Sequence, residues 1–373
     1  MRATVGVGLR PVVLAGYYPP PMGGEGLHIS ELAQRLRTHG VPVKILNLRR
    51  GAPPSAEYRA IARRVDFLTA LCESLVPGAL LHLHTNCDNR KSCLMVVVAA
   101  MVLRMRGATG LLTLHSGLAP GYLLSLNPAS RSLVRLGIAS FAHVICVNAK
   151  IREAVAGLGV QTDRLSVIPA YLGIRATAPL TEADQRMLSA FTPLVATIGG
   201  REPEWYGLPI VVDAVARLSA HFPRLGCIVI GSGGDAALRR LIAERGLEDR
   251  VLCLGEVAHE RCLALLARAD VYVRPSYIDG DASSVREALA LGVPVVATDT
   301  DFRPAGVLLC RRGDVQDLAE KVARALHLRL TGDWRSRCED AGAQDRLLDV
   351  YERVGIGPLR SESGVAAAGF ARG

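Results

Sequence analysis

The sequence predicts an α/β protein in which two doubly wound, Rossmann-like domains face each other across a central cleft. The 373 residues suffice for two hydrophobic cores, and a composition that is half apolar with 37 glycines is ordinary for this class. Short apolar runs alternate with segments of helical periodicity along the chain, which indicates parallel sheets covered by helices. No short repeat of fixed period indicates another architecture.

The first half of the chain supplies six predicted strands, at residues 12–16, 41–48, 80–84, 110–114, 142–147 and 165–169. Helices are predicted at residues 29–36, 58–75, 93–105, 132–138 and 149–158. The first helix has apolar residues at i, i+3, i+4 and i+7 and ends at Gly40, and Asn148 is the expected N-cap of the last helix. These elements form a predicted first domain of residues 1–172.

The pattern restarts after a polar linker that contains proline, predicted at residues 173–191. The second domain, residues 192–328, has predicted strands at 194–198, 225–230, 251–254, 271–273 and 293–297. Its helices are predicted at 208–221, 259–268 and 318–326, with a further one from Ser283 or Ser284 to Gly292. Residues 329–355 predict a terminal helix with one apolar face, and residues 356–373 a loose tail.

Cysteine usage and apolar runs indicate a cytoplasmic protein. Nine cysteines are scattered through apolar segments without a C-x2-C pair, which is typical of reduced thiols and not of a disulfide framework or a zinc site. The start of the chain lacks the apolar core and cleavage site of a signal peptide. The longest apolar run, residues 93–103, is too short to span a bilayer, although its basic flanks allow a place near a membrane surface.

The formal net charge of +9 is unevenly distributed. Residues 1–172 hold 19 Lys and Arg against 8 Asp and Glu, whereas the remainder holds 25 against 27. A basic half predicts an anionic partner for that half. Nucleic acid is disfavoured because no aromatic residues are interleaved with the basic ones and no nucleic-acid motif is present. An anionic membrane leaflet or a pyrophosphate-linked lipid acceptor fits better, and an Arg-rich solvated surface is the alternative.

The strongest indication of function lies in residues 271–298, VYVRPSYIDGDASSVREALALGVPVVAT. A buried strand precedes a polar loop, a short helix with Glu287 in its first turn, and a second buried strand. Ligands of such a βαβ unit bind at the carboxyl end of the strand, where Asp279, Asp281, Ser283 and Ser284 follow. Carboxylates accept hydrogen bonds from sugar and ribose hydroxyls, and the N–H groups at the start of the helix favour a phosphate. This loop is predicted to hold both halves of a sugar nucleotide.

Asp279 and Glu287 are eight residues apart and are followed by PVVA at 294–297, which resembles the E-x7-E signature of retaining glycosyltransferases of family 4, proteins of the two-domain GT-B fold. The resemblance implies that Glu287 holds the nucleotide ribose and that Asp279 holds hydroxyls of the donor sugar. Asp279 is one methylene shorter than the usual Glu, and Asp281 is a candidate to compensate. Taken singly, Asp279 is also a common turn former and Glu287 an ordinary partner of a helix dipole. The implied donor loop comprises Asp279, Gly280, Asp281, Ala282, Ser283, Ser284 and Glu287.

The resemblance extends to the first domain. Gly23 and Gly24 match a family loop that lies between the acceptor and the donor phosphate, and a glycine turn before a helix is a weak anion site in itself. His115, in LTLHSG, matches a strand-end histidine that faces the reacting sugar, where a neutral imidazole can hydrogen-bond a hydroxyl. The alternative is a polar residue that caps a turn.

In the second domain, Arg201 matches a family arginine that binds the donor diphosphate, but Tyr206 stands where the family has lysine. A tyrosine hydroxyl is a single neutral donor, so another cation, Arg274 or Arg286, or backbone N–H groups must substitute. The glycine-rich turn at 231–235 is expected near the nucleotide, and the terminal helix is expected to cross back onto the first domain. Weak candidates for contacts with the base are Gly255, Glu256 and Val257.

A metal site is a further possibility, since His82 and His84 alternate onto one strand face with Cys87 and Asp88 just beyond. Their spacing matches no standard ligand pattern, so histidines with satisfied hydrogen bonds are the preferred interpretation. The resemblance implies no metal and no cofactor, a nucleoside diphosphate sugar as donor, and a saccharide or lipid-linked acceptor in surface polysaccharide or glycolipid assembly. The catalytic candidates are His115, Arg201 and Asp279.

Two other functions fit the same residues. An epimerase of the same fold would turn over the sugar nucleotide without an acceptor. A non-catalytic relative, suggested by Tyr206 and Asp279, would bind nucleotide and release no sugar.

Overall fold

The structure is a computed structural model that describes residues 9–21, 23–174, 177–200, 202–232, 236–334 and 342–359. It contains two parallel sheets, each flanked by helices, which confirms the predicted α/β class with two Rossmann-like domains. The strands of the first sheet are β1 Val12–Gly16, β2 Val43–Asn47, β3 Arg59–Ala60, β4 Leu80–Thr85, β5 Thr109–Leu114, β6 His143–Cys146 and β7 Leu165–Val167. Their order in the sheet is β3-β2-β1-β4-β5-β6-β7.

Helices cover both faces of the first sheet. They are α1 Gly24–Thr38, α2 Arg64–Ser74, α3 Arg90–Arg106, α4 Ala119–Leu124, α5 Pro128–Ala139 and α6 Ala149–Gly157. Apolar side chains of α2, α3, α5 and α6 pack on one face of the sheet, and those of α1 pack on the other. The strands are apolar on both faces, as buried parallel strands usually are.

The second sheet repeats this plan with six strands. A helix, α7 Glu182–Ser189, precedes it, and the strands are β8 Leu194–Gly199, β9 Gly226–Gly231, β10 Val251–Gly255, β11 Val271–Arg274, β12 Val295–Thr298 and β13 Leu308–Cys310. The order is β10-β9-β8-β11-β12-β13. The flanking helices are α8 Leu208–Ser219, α9 Ala236–Glu244, α10 His259–Arg268, α11 Ser283–Ala290 and α12 Val315–Leu330.

The last helix, α13 Ala343–Arg353, packs on the first domain and not on the second. Leu347, Leu348 and Val350 are buried beside the side chains of β1 and α1. The fully buried Tyr351 places its hydroxyl 2.7 Å from Nδ1 of His82 on β4. The chain therefore enters the second domain and then returns to the first.

One sequence-based expectation about the elements is wrong, and several elements were not predicted. Residues 58–75 are not one helix, because Arg59 and Ala60 pair with β2, and α2 begins where the Asp66 carboxylate accepts a hydrogen bond from the backbone N–H of Arg63 at 2.9 Å. The predicted linker contains α7, which a capping box of Thr181 and Asp184 starts. The short strand β13 was not predicted.

The start of α11 also differs from the expectation. Its N-cap is Ala282, Ser283 is the first helical residue, and Glu287 lies in the second turn. Ser284 does not cap the helix, because its Oγ accepts a hydrogen bond from the hydroxyl of Tyr272 at 2.7 Å. Among the helices of the described ranges, none combines the length and the apolar character needed to cross a membrane.

Candidate functional site

Each sheet has a point where the strand order reverses, and ligands of open α/β sheets bind in the crevice outside the strand ends at that point. In the first sheet it lies between β1 and β4, and in the second between β8 and β11. The carboxyl ends of the two sheets face each other, since the Asn148 side chain donates to the carbonyl of Gly280 at 2.6 Å and the Ala170 N–H donates to Asp281 Oδ2 at 3.1 Å. The two crevices therefore open into one cleft.

Two helix N-termini meet in this cleft. Helix α1 begins at Gly24 after the N-cap Gly23, α11 begins at Ser283 after Ala282, and neither has a side-chain cap. A β-carbon built on Gly24 would lie 3.8 Å from Ser283 Oγ. The structure thus brings Gly23, Gly24, Ala282 and Ser283 together. Backbone N–H groups and the positive ends of two helix dipoles converge there, an arrangement suited to a phosphate.

Glu287 lines a narrow crevice beside these helix ends. Besides Ser283, the other residues of the crevice come from α1, from the segment after β7 and from α10, and they include His28, Glu31, Tyr171 and His259. Glu287 is 5% exposed, and among the described residues its carboxylate is bound through Oε1, which lies 2.9 Å from His259 Nε2. Burial alone would lower the pKa of His259, but the hydrogen bond to Glu287 and the nearby carboxylates raise this pKa above 6.5. The pair fixes the orientation of Glu287 in the crevice.

The residues predicted near the base lie next to this pair. Gly255 ends β10 with a φ of +71°, a backbone conformation that favours glycine, and Glu256 is exposed on the turn that leads to α10. Val257 packs against the core beside α10 and α11. Because α10 starts at His259, the turn leads directly to the partner of Glu287.

Asp279 occupies a different environment from Glu287. It is 9% exposed, and its carboxylate is bound by Arg274 Nη2 at 2.7 Å, by Arg303 Nη2 at 2.7 Å and by the hydroxyl of Ser276. Burial alone would raise the pKa of Asp279, but the charges of Arg274 and Arg303 outweigh it and hold this pKa well below 3.8. Both carboxylate oxygens that the resemblance assigns to sugar hydroxyls are therefore already bound by guanidinium groups.

Asp281, the candidate to compensate for the shorter Asp279, is also bound within the protein. Its Oδ1 accepts from Arg286 Nε at 2.8 Å, and its Oδ2 accepts from the backbone N–H of Ala170. Ala170 follows β7 of the first domain, so this carboxylate fastens the donor loop to the other domain. Gly280 takes part in the same contact through its carbonyl, which accepts from Asn148.

Tyr206 covers one of these arginines. The Arg274 guanidinium carbon lies 4.4 Å from the centroid of the Tyr206 ring, which is close enough for a cation–π contact. The ring also packs on Gly200, where a β-carbon would lie 2.4 Å from Tyr206 Cε2. Tyr206 therefore supplies no charge but shields Arg274. Arg201 and residues 233–235 lie outside the described residues.

His115 belongs to a group of four histidines in the first domain. Its Nε2 lies 3.1 Å from Nδ1 of His84, and the ring centroids of His28 and His115 are 5.5 Å apart. Burial lowers the pKa of His84 and His115 well below 6.5, with the other histidines adding to the effect, so both imidazoles are neutral at pH 7. His82 is satisfied by Tyr351 and by Thr113 Oγ1 at 2.7 Å. No group of His, Cys, Asp and Glu in the described part of the chain has an arrangement that could hold a metal ion.

Sequence reasoning missed several residues of the cleft. Arg303 and His259 carry no motif, and their partners Asp279 and Glu287 lie 24 and 28 residues away along the chain. Asn148 was expected only as a helix cap. It does cap α6 through Oδ1, which accepts from the Ile151 N–H at 2.9 Å, but its amide nitrogen also contacts the second domain.

Both halves of the chain match known glycosyltransferase families. Residues 22–170 match the family described as Glycosyltransferase Family 4, and residues 188–345 match Glycosyl transferases group 1. Among curated relatives, the gpi3 subunit of a phosphatidylinositol N-acetylglucosaminyltransferase from Schizosaccharomyces pombe is 24% identical over 53% of this chain and 43% of its own length. A phosphatidyl-myo-inositol mannosyltransferase from Mycobacterium leprae is 26% identical over 89% of this chain and 93% of its own length.

Solved structures share the fold at lower identity. HepE from Anabaena, in complex with UDP and glucose, has a TM-score of 0.69 at 18% identity, covering 92% of this chain and 99% of that one. A sucrose-phosphate synthase from Thermosynechococcus elongatus has a TM-score of 0.64 at 20% identity, covering 92% and 96%. The two facing Rossmann-like domains, the family matches of both halves and these relatives identify the chain as a glycosyltransferase of the GT-B fold.

Proposed function

We propose that this glycosyltransferase moves a sugar, with retention of configuration, from a nucleoside diphosphate sugar to a hydroxyl of a saccharide or lipid-linked acceptor. The observation that carries the proposal is the meeting of the uncapped N-termini of α1 and α11 at Gly24 and Ser283. A diphosphate between them would interact with backbone N–H groups from both domains. Structures of HepE contain UDP and UDP-glucose, which supports this class of donor.

In the proposed reaction the acceptor oxygen bonds to the anomeric carbon while the bond from that carbon to the diphosphate breaks. The acceptor proton passes to a departing phosphate oxygen, so no strong base is needed. The part of the protein is to stabilise the negative charge of the leaving diphosphate and to position the two substrates. Ser283, Gly24 and Arg201 would serve the first purpose, and His115 would face the sugar as a neutral hydrogen-bonding group.

The diphosphate is proposed to be held mainly by backbone N–H groups. The family lysine is replaced by Tyr206, and the two candidate substitutes are engaged elsewhere, Arg274 with Asp279 and Arg286 with Asp281. Arg286 is neutralised by Asp281, and Arg274 shares the single carboxylate of Asp279 with Arg303, so neither candidate is free of a carboxylate partner. The N-termini of α1 and α11, in contrast, have no side-chain cap, so their N–H groups are open to a diphosphate.

A nucleotide series tests the donor site. Isothermal titration with UDP, GDP and ADP should identify one diphosphate that binds, and Glu287→Gln should weaken it about tenfold through the ribose. Arg201→Ala should weaken it as well. Glu248→Gln is the matched control, because Glu248 is exposed and precedes the amino end of β10, away from the cleft edge of the sheet. Equal affinities in wild-type protein and Glu287→Gln would remove the ribose assignment.

We also propose peripheral contact of the first domain with an anionic membrane. Helices α3 and α5 pack together, with Gly137 against Val97, and their outer faces expose Leu94, Met101, Met105, Leu133 and Leu136 beside Arg104, Arg106 and Arg135. Exposed apolar side chains next to basic ones suit insertion below anionic headgroups. The acceptor of the M. leprae relative is named as a phosphatidyl-myo-inositol, which is consistent with work at a lipid surface.

Vesicle sedimentation tests this contact. Wild-type protein should bind vesicles that contain phosphatidylglycerol more strongly than neutral ones, and the double substitution Met101→Ser with Met105→Ser should reduce binding. Leu330→Ser is the matched control, because Leu330 is 73% exposed but belongs to α12 of the second domain. Equal binding by the double variant would exclude this face.

A further inference from the structure

The crevice between β1 and β4 holds a carboxyl group that the donor site does not use. Strand β1 ends at Gly16, where a β-carbon would lie 2.9 Å from His84 Cβ and 3.0 Å from Glu25 Oε1. Glu25 is the second residue of α1, directly after Gly24. Helix α1 and the two strands at the reversal point of the first sheet therefore converge on Glu25.

Glu25 is held in place by the backbone. Its Oε1 accepts a hydrogen bond from the N–H of Tyr17 at 2.9 Å, and its side chain is partly exposed. Asp88, on the loop after β4, is close enough to Glu25 and to Tyr17 to raise the pKa of both. Tyr17 directly follows the end of β1 and is 52% exposed. A carboxyl group and an exposed aromatic ring thus stand together at the cleft edge of the first domain.

His84 provides an independent observation in the same crevice. It is 1% exposed, and its Nδ1 is paired with His115, but its Nε2 has no hydrogen-bond partner among the described residues. Buried polar atoms are normally satisfied, so an unpartnered imidazole nitrogen beneath these strand ends is an exception. His84 Cβ and Glu25 Oε1 both lie about 3 Å from the β-carbon position of Gly16.

We propose that Glu25 contacts the acceptor and holds one of its hydroxyls in the crevice between β1 and β4, which selects a hydroxyl-rich ring such as a sugar or a cyclitol. A carboxylate accepts from a hydroxyl in a charge-assisted hydrogen bond. The exposed Tyr17 ring offers an apolar face for the ring of the acceptor. The proposal rests on the glycosyl transfer proposed above and names its acceptor side.

The ionisation of Glu25 gives the contact a pH dependence. Burial raises the pKa of Glu25 to about 7, Asp88 adds to the rise and the Tyr17 N–H opposes it. The other groups that face it are Tyr17, whose pKa is raised above 10, and His84, whose pKa lies well below 6.5, so both stay neutral between pH 6 and 8. The ionised fraction of a group with a pKa of about 7 grows from roughly 10% to roughly 90% over that range. Acceptor affinity should therefore rise with pH.

The test is a titration of protein saturated with its nucleoside diphosphate. The probes are myo-inositol, methyl α-mannopyranoside, and vesicles with phosphatidylinositol compared with vesicles of phosphatidylglycerol. At least one probe should bind the wild-type protein several-fold more strongly at pH 8 than at pH 6. The variant Glu25→Gln keeps a side-chain oxygen that accepts the hydrogen bond from the Tyr17 N–H. It should bind that probe roughly tenfold more weakly than wild type and without the pH dependence.

Glu153→Gln, on the exposed face of α6 in the same domain, is the matched control and should behave as wild type. Binding of free polyols assigns a saccharide acceptor, and binding only of phosphatidylinositol vesicles assigns a lipid headgroup. Failure of every probe to bind, or unchanged affinity and pH dependence in Glu25→Gln, would overturn the proposal. If that variant does not fold, Asp88→Asn is the substitute and should shift the rise of acceptor affinity to lower pH, because it removes the charge of Asp88 that adds to the raised pKa of Glu25.

Nucleotide binding separates this proposal from the proposed function. Glu25→Gln should bind the diphosphate as tightly as wild type or more tightly, because it removes a negative charge near the two helix N-termini. A wild-type protein that binds no nucleoside diphosphate contradicts the donor site, whereas nucleotide binding without binding of any acceptor probe contradicts the role of Glu25 alone.

Discussion

The carbonyl oxygen of His115 and the α-carbon of Gly280 touch across the cleft, so that a β-carbon on Gly280 would stand 1.6 Å from that oxygen. The reciprocal contact is as close, since a β-carbon on Gly117 would lie 2.0 Å from the carbonyl oxygen of Asp279. Backbone thus meets backbone where the strand-end turn of β5 reaches the donor loop. The absence of both side chains allows the two domains to close at this point.

We predict that Gly280→Ala prevents this closure. The added carbon meets backbone atoms that cannot rotate away, so the domains must separate by more than an ångström. A separation of this size at the reacting centre should lower kcat about a hundredfold. Nucleotide affinity should fall less than kcat, because separation of the domains removes the diphosphate contacts of α1 but leaves those of α11 and the proposed ribose contact of Glu287 in the second domain. Steady-state kinetics and isothermal titration distinguish the two effects.

Gly121→Ala is the control for this substitution. Gly121 lies in α4, and a β-carbon there meets nothing within 4 Å. The substitution should raise stability by up to about 1 kcal/mol because alanine favours the helix, and it should leave kcat unchanged. Wild-type turnover in Gly280→Ala would show that the contact with His115 is not required for catalysis.

Asn148 allows the domain contact to be separated from the helix cap. Asn148→Asp keeps an oxygen for the Ile151 N–H but replaces the donor to Gly280 by a negative oxygen that repels that carbonyl. We expect unfolding close to that of wild type and a cleft that closes less, seen as a smaller nucleotide-dependent change in radius of gyration by X-ray scattering. Asn148→Ala should in addition lose about 1 kcal/mol of stability with the cap. If the two variants had the same stability and the same change in radius of gyration, Asn148 would not both cap α6 and hold the two domains together.

Asp279 is predicted to matter for stability as much as for binding. Its side chain is 7% exposed between the guanidinium groups of Arg274 and Arg303, so Asp279→Asn would leave two buried positive charges with no carboxylate between them. The expected cost is about 3–5 kcal/mol. Arg303→Met leaves the pair of Asp279 and Arg274 and should cost less.

The pH dependence of this cluster follows from the lowered pKa of Asp279. A depressed carboxyl pKa adds stability that is fully present above the unfolded pKa of 3.8 and is lost as pH falls toward the folded pKa. Thermal midpoints measured from pH 6 to pH 3 should therefore fall less steeply in Asp279→Asn than in wild type. If the thermal midpoints of wild type and Asp279→Asn fell in parallel with pH, the ion pairs of Asp279 with Arg274 and Arg303 would be contradicted.

The sequence was sufficient for the α/β class because strand and helix periods are local properties of the chain. Asn148 was expected as a helix cap on the same ground, and it is one. The partners of charged side chains were not predictable, since Arg303 reaches Asp279 only after β12 has been placed beside β11. The spacing of Asp279 and Glu287 indicated that they belong to one loop-and-helix segment. It did not indicate that buried arginines bind Asp279.

The start of α11 illustrates the same limit. Serines before an apolar run usually cap a helix, and the sequence favours Ser283 or Ser284 for that role. The buried hydroxyl of Tyr272 needs a partner and takes Ser284 Oγ, and the N–H groups of the helix start are left facing Gly24. A tertiary contact thus overrides a local preference, and the helix end without a cap is the one that faces the cleft.

The pair of His259 and Glu287 makes a prediction near neutral pH. The pKa of His259 is raised above 6.5 in the folded protein, so its charge adds stability that is fully present below pH 6.5 and is lost as pH rises through the folded pKa. The thermal midpoint of wild type relative to His259→Gln should therefore be highest near pH 6 and decline toward pH 8.5. Glutamine retains an N–H donor for Glu287 but has no charge to lose, so its own curve should lack this decline.

Glu287→Gln completes the comparison, because it leaves His259 in place and removes the carboxylate that raises its pKa. In that variant burial is expected to dominate, which lowers the pKa of His259, and the decline between pH 6 and pH 8.5 should disappear. A wild-type curve parallel to that of both variants would mean that His259 is not charged beside Glu287. Its Nε2 would then donate to Glu287 from a neutral imidazole.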